Sequence, residues 1–235
     1  MGVRPAPDLS PQETQRLKDV EALVAQCVRA TRHTAGSVRA YASLIADGYA
    51  HEANASMWAS KIERSANDLD DFASRFGAMR MCVNERPSSV EWSDVLARVV
   101  SRCASLGTCT MEVNDRSLGP CRQRAELLGR ALFQIVRNAV EATPRGSIRI
   151  RVDESRVGAT RVFHVRVADD GPGVGGIDTT EVWRPFVTNK PDHAGLGLAF
   201  VAACAPVLGA VAGWRRESDR TAVHMLVAEE GDLAW

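Results

Sequence analysis

The sequence predicts an α+β protein: an N-terminal two-helix hairpin that pairs with a second copy into a four-helix bundle, followed by an α/β sandwich. Three observations predict it. An apolar seam runs through residues 10–83 at spacings of three and four. After residue 87 the rhythm changes, and short apolar runs alternate with helical ones. The 235-residue chain is 45% hydrophobic and 25% charged, enough to bury a core in a domain beyond the hairpin.

The seam of the first helix is Leu17, Val20, Val24, Val28, Thr31, Ala35, Val38, Ala42 and Ile45. That of the second is Trp58, Ile62, Ser65, Leu69, Phe72, Phe76, Met79 and Val83. An average repeat of about 3.5 marks a bundle seam. Gly48 and the polar stretch around His51 and Glu52 separate the helices. A lone hairpin buries too little to be stable, so a homodimer is expected, against the alternative of a hairpin packed on its own C-terminal domain. The expected boundaries are a disordered stretch 1–9, the hairpin 10–84 and a second domain 88–235, with Asn84–Ser88 as the linker.

In the second domain the pattern predicts strand 89–92, helix 93–106, strand 109–114, helix 123–142, and strands 147–152 and 161–168. A long loop follows, then a helix from about 196 and strands near 211–216 and 221–228. Helices and strands in this proportion imply a mixed sheet with helices on one face. The uncharged run Leu196–Trp214 has the length of a membrane span, but Gly197, Pro206, Gly209 and Gly213 divide it. A buried helix, a turn at Leu208-Gly209-Ala210 and a buried strand are expected there instead.

Charge narrows the function classes. The 29 basic and 29 acidic residues cancel, unlike the basic excess of a nucleic-acid binder or a polybasic membrane anchor. Six cysteines form no CxxC pair and are expected as buried thiols in a reducing cytoplasm. The N-terminal residues contain no apolar stretch of signal-peptide type. The expectation is a cytoplasmic protein with neither nucleic acid nor membrane insertion.

Four segments carry the chemistry. Gln134 and Asn138 stand one helical turn apart, where an amide oxygen suits Mg²⁺; alone they would pass for surface amides. Val167-Ala168-Asp169-Asp170-Gly171-Pro172-Gly173 ends a strand in a carboxylate and a glycine-rich turn. Such a carboxylate can accept from an amino group while glycines admit a flat ring, although a hairpin turn would read the same. In Trp183-Arg184-Pro185-Phe186-Val187-Thr188-Asn189-Lys190, aromatics anchor a loop, and Thr188 and Lys190 can reach phosphates. Gly195-Leu196-Gly197-Leu198 leads into a helix whose free N–H groups suit a phosphate, a pattern too common to decide anything alone.

In this order and spacing the four segments closely resemble the N, G1, F and G2 boxes of the histidine-kinase catalytic domain, the Bergerat or GHKL ATP-binding fold. The resemblance implies ATP and Mg²⁺ as cofactors, adenine on Asp169 and magnesium on Asn138. Arg137, Gly171, Gly173, Thr188, Lys190, Gly195, Leu196, Gly197 and Leu198 complete the nucleotide set, with a mobile lid over 175–194. This sequence departs from the family at His193, where Gly is frequent, and at Gln134, where Asn or Glu is frequent. A Glu there would serve as base for water attack in related ATPases, so Gln134 favours phosphoryl transfer over hydrolysis.

The same resemblance implies a phosphate-accepting histidine on the first bundle helix. His33 lies opposite the Thr31/Ala35 stripe and is expected to face solvent, with a neutral nucleophilic nitrogen near pH 7. His51 stands too close to the hairpin end to compete. Thr34 occupies the position where the family carries Glu or Asp, and Val38 that of its usual proline. Ser37 stands where bifunctional members position water for removing phosphate from a partner. His33, Gln134 and Ser37 form the catalytic set.

The expected function is a protein-histidine kinase of two-component signalling, a transferase that passes phosphate from His33 to an aspartate of a response-regulator receiver domain. A separate sensor protein supplies the input, or the chain is a fragment of a longer kinase. The alternatives are a histidine phosphotransferase relay, which would not need Asp169 or the glycine pair, and an ATP-gated scaffold without autokinase activity.

Overall fold

The computed structural model describes residues 31, 35–45, 57–63, 65, 66, 69, 85–178, 180–190, 195–217 and 220–229. Residues 35–45 (α1) and 57–63 (α2) are helical. Ala35, Val38, Ile45, Trp58 and Ile62 of the expected seam are half-buried, whereas Ala42 is exposed. The Lys61 ammonium lies 5.2 Å from the centroid of the Tyr41 ring, a cation–π contact between the two helices.

From residue 88 the order is β1 (Ser88–Val90), α3 (Trp92–Cys103), β2 (Thr110–Arg116), β3 (Cys121–Gln123), α4 (Ala125–Ala142), β4 (Ser147–Val157) and β5 (Thr160–Asp169). A 3₁₀ turn (Glu181–Trp183), α5 (Gly197–Cys204), β6 (Ala210–Glu217) and β7 (Arg220–Ala228) follow. Five strands form one sheet in the order β2-β4-β5-β7-β6. The β2–β4 pair is parallel and the other pairs are antiparallel, giving the mixed sheet expected.

Alternation decides which face is covered. Ile148, Ile150 and Val152 of β4 and Phe163, Val165 and Val167 of β5 point inward and are buried. Trp92, Val95, Leu96 and Val99 of α3 meet them, with Trp92 tilted against Phe163 at 5.3 Å between centroids. Helix α5 is apolar nearly all round, and Leu198, Phe200, Val201 and Cys204 are buried, as such a helix requires. The uncharged run therefore resolves into α5, a turn with Gly209 at φ 58° and β6. Among the described residues no helix is long and apolar enough to cross a membrane.

Two details differ from the sequence expectation. Trp92 opens a helix rather than ending a strand, and β1 pairs with the unexpected β3 in a small sheet of its own. The three residues of β3 carry too little periodicity to be seen, and their pairing with β1 joins residues far apart in sequence (Ser88 with Gln123, Val90 with Cys121). Gln123 is fully buried yet satisfied: its Nε2 donates to the carbonyls of Leu208 (3.0 Å) and Ala228 (2.7 Å). Cys103, Cys121 and Cys204 are buried thiols outside any disulfide. Burial pushes Cys103 up to about 11 and Cys121 to about 12, which makes both inert near neutrality. Cys27 and Cys82 lie outside the described residues.

The sheet face opposite the buried side chains carries a polar network. His224 Nε2 lies 2.9 Å from Glu217 Oε1; the carboxylate can only accept, so this nitrogen holds the proton and Nδ1 accepts from His164 Nε2 at 2.9 Å. Arg166 and Arg215 also bind Glu217, and Asp153 faces His164 across the β4–β5 ladder. Bonding to Arg166 holds Glu217 down at about 2. Burial pushes His224 below its ordinary value of 6.5, against the pull of Glu217. The unfolded chain therefore takes up this proton first. The stability associated with neutral His224 is full above 6.5 and declines as pH falls below it. Thermal unfolding between about pH 7 and 5.5 should show that decline, and His224→Gln should flatten it. Glu217 cannot mimic the effect, because its own window opens only below 4.5.

Candidate functional site

Helix α4 divides its residues between two environments. Leu128, Leu132, Ile135, Val136, Ala139 and Val140 recur at core spacing and are buried. The opposite side presents Gln134, Arg137, Asn138 and Glu141 to a pocket. The floor of that pocket comes from Val167 and Asp169 of β5, Trp214 of β6 and Thr221 and Val223 of β7. Thr188, Lys190, Gly195, Leu196, Gly197 and Leu198 supply its far wall.

Successive strand residues point to opposite faces, and this separates the two aspartates at the end of β5. Asp169 is 5% exposed in the pocket, with its Oδ1 accepting from the Gly171 N–H at 2.9 Å. Burial raises its pKa above the usual carboxylate range, and the Gly171 hydrogen bond opposes that shift. Asp170 turns away and accepts from the Thr143 hydroxyl (2.9 Å) and the Ser147 N–H (3.1 Å), bonds that lower its pKa. It is a structural clamp on the α4–β4 turn. A Cβ at Gly171 would stand 2.7 Å from Asp169 Oδ1 and 2.9 Å from the Ala142 carbonyl, so only glycine fits.

Lys190 closes the pocket over α4. Its ammonium donates to Asn138 Oδ1 and to Glu141 Oε2, each at 3.3 Å. Glu141 also accepts from Arg137 Nε at 2.7 Å. Glu141 carries no role in the sequence reading, although it follows Asn138 by three residues and Arg137 by four, the spacings that share a helix face. Thr221 and Trp214 went unnoticed too, because strand residues are assigned to a site only once the sheet order is known.

The other end of the loop is held by backbone. Phe186 adopts φ 65°, the left-handed region unusual for a side chain of its bulk, and its N–H donates to the Gly195 carbonyl at 3.2 Å. Trp183 packs against the core and anchors the loop base as expected. Leu196, the N-cap residue of α5, makes no side-chain cap, leaving the first amides of that helix beside the pocket.

The structure thus brings together Gln134, Arg137, Asn138, Asp169, Gly173, Thr188, Lys190 and the 195–198 segment, with Gly171 immediately behind Asp169. Ser37 is a half-buried residue of α1. His33, Thr34, His51 and residues 191–194 of the expected lid lie outside the described residues.

Residues 123–229 match the family model described as histidine kinase-, DNA gyrase B- and HSP90-like ATPase, which assigns this domain to that class of ATP-binding proteins. Within the class, the likenesses that follow support a catalytic core of the two-component histidine-kinase type. It is 38% identical over 122 residues to the nitrogen regulation protein NtrY of Azorhizobium caulinodans, a match covering 49% of this chain and 14% of that protein. To the sensory histidine kinase/phosphatase NtrB of Rhodobacter capsulatus it is 32% identical over 102 residues, 39% of this chain and 29% of that protein. The chain thus spans less than a third of either relative. The fold resembles Acinetobacter baumannii histidine kinase AdeS with a TM-score of 0.56, at 15% identity over 85% of this chain and 97% of that one. It also resembles full-length ShkA in complex with AMPPNP, with a TM-score of 0.57 at 20% identity, covering 89% of this chain and 45% of that one.

Gly195, two residues before α5 begins, lies close against the loop backbone at Phe186 and Val187. It has φ 65°, and a Cβ there would stand 2.7 Å from the Val187 carbonyl. Gly195→Ala should cost about 1–3 kcal/mol of stability in chemical unfolding, while Gly176→Ala, which has φ 84° but meets nothing within 4 Å, should cost less.

Proposed function

We propose that the chain is the ATP-using core of a two-component histidine kinase: it binds Mg-ATP at the α4 pocket, phosphorylates His33 and passes the phosphoryl group to a response-regulator aspartate. The observation that carries the reading is the meeting of Asp169, Asn138 and the 195–198 segment in one pocket. A relay would have no need of it. Sensor-kinase relatives and the nucleotide complex of the structural neighbour ShkA support the same reading.

In this reading Asp169, oriented by the Gly171 N–H, accepts from the exocyclic amino group of adenine. The first amides of α5, with Lys190 and Thr188, hold the phosphates, and Arg137 braces Glu141 beside them. The donors suit a hard cation, because an ammonium already rests between Asn138 Oδ1 and Glu141 Oε2. Mg²⁺, when bound, would offset charge on the β- and γ-phosphates. With a cation held there, Lys190 would be free to leave Asn138 and turn to phosphate. Gln134 cannot act as a base toward water, which leaves the γ-phosphoryl for an imidazole nucleophile. The bundle serves as the homodimer interface, the docking site for the receiver domain and the route by which a sensor acts.

Label on the γ-phosphate of ATP tests the reading. Mg-ATP should give acid-labile label on the protein that disappears in His33→Ala. Nucleotide binding without label would instead leave an ATP-gated scaffold, and no binding would leave a relay.

A second prediction concerns Asp169. Asp169→Asn, which removes a charge-assisted hydrogen bond, should weaken nucleotide binding by roughly 100-fold in calorimetry, about 3 kcal/mol. In the wild type the bond needs the ionised carboxylate, whose pKa is raised by burial. Affinity should therefore fall on acidification at a higher pH than an ordinary aspartate would give.

A further inference from the structure

The linker joining bundle and ATP-binding domain contains a side chain that the nucleotide pocket does not use. Helix α4 has Arg124 as its N-cap residue, which provides no side-chain cap. The cap comes from Glu85 instead. Its Oε1 accepts from the Glu126 N–H at 2.9 Å and its Oε2 from the Leu127 N–H at 3.1 Å. A carboxylate on the first amides of a helix gains from both charge-assisted bonds and the helix dipole. Arg124 fixes the same residue from the other side, with Nε donating to the Glu85 carbonyl at 3.0 Å and Nη1 to the Val207 carbonyl at 2.9 Å. Side chain and main chain of one linker residue are thus both fastened, three residues ahead of β1. The fastened helix is the one that carries Gln134 and Asn138, and Asn138 lies about 18 Å along it from Glu126.

We propose that Glu85 is a positioning residue for phosphoryl transfer: it latches the linker to α4, so that the pocket is presented to the acceptor histidine in a fixed orientation. The proposal rests on the autokinase reading above. Nucleotide binding needs only the pocket, whereas transfer to a group outside the domain needs the domain held in register with it. A loosened joint lowers the effective concentration of the γ-phosphate at the acceptor without altering the pocket.

The test uses the full chain with Glu85→Ala, Glu85→Gln and, as a variant that releases the main-chain side, Arg124→Ala. Glu85→Ala should leave nucleotide affinity within about twofold of wild type while slowing His33 phosphorylation at saturating Mg-ATP by about tenfold or more. Glu85→Gln, which keeps one acceptor oxygen, should fall between, and Arg124→Ala should show the same split. Hydrogen exchange at the amides of Glu126 and Leu127 should quicken in Glu85→Ala. A wild-type phosphorylation rate in Glu85→Ala, or a loss matched by an equal loss of nucleotide affinity, would overturn the proposal. Should the wild type itself bind Mg-ATP yet leave His33 unlabelled, the autokinase reading fails separately. The latch is then decided by exchange: faster amides in Glu85→Ala support it and unchanged amides overturn it.

Discussion

Helix α4 has to be two things at once, and the domain is arranged around that constraint. Leu127, Leu128, Ala131, Leu132, Ile135 and Val136 need a sheet to bury them, and β4 and β5 provide it. The residues left over, Gln134, Asn138 and Glu141, then face the pocket over the end of the sheet, where β5 finishes in Asp169. Burying the apolar stripe at roughly 25 cal/mol per Å² locks the rotation of the helix about its axis. That rotation is what aims the polar groups, so the core sets the geometry of the site. A helix of uniform composition could fold against the same sheet and aim nothing.

Several polar groups placed near this core are held by partners rather than left to the solvent. Asp170 is tied to Thr143 and Ser147, and Gln123 bridges the carbonyls that follow α5 and end β7. Arg161 joins Glu154 at 2.8 Å and reaches Glu229 and the Pro120 carbonyl, securing the loop between β2 and β3. Bonding to Arg161 holds Glu154 down at about 2, so the carboxylate stays ionised across any physiological pH. These contacts cost little net energy when complete and a great deal when broken. They keep the strand ends still, and the strand ends carry Asp169 and Thr221.

How much of this was legible in the sequence follows from the range of the interactions. The period of 3.6 announced α3 and α4, and alternation announced β4, β5 and β7, because both are local. The glycine pair ahead of α5 and the Asp-Gly turn marked two walls of the pocket for the same reason. The pairing of β1 with β3 was not legible, nor was the fastening of Glu85 to α4, since each joins residues more than thirty positions apart through bonds that leave no periodic trace. Asp169 and Asp170 could be told apart only through the family resemblance. Their difference is one of strand parity, which depends on which face the sheet buries.

The charges lining the pocket complete the argument. Arg137 and Lys190 face Glu141 and Asp169, so two positive side chains meet two negative ones in the pocket lining. Asp169 stands apart from the other three. Arg137, Lys190 and Glu141 are coupled directly, with Glu141 accepting from both cations. A polyphosphate arriving alone would meet Glu141 as well as Lys190, and the two would largely cancel. On the proposed function, a nucleotide carrying a divalent cation would change the balance, because Asn138 and Glu141 would have another cation to face and the ammonium would be free to turn toward phosphate. In that reading, the same three side chains that hold the loop to α4 would favour the metal complex over the bare nucleotide. Selectivity for the complex would then come from Glu141, a carboxylate that by itself repels phosphate.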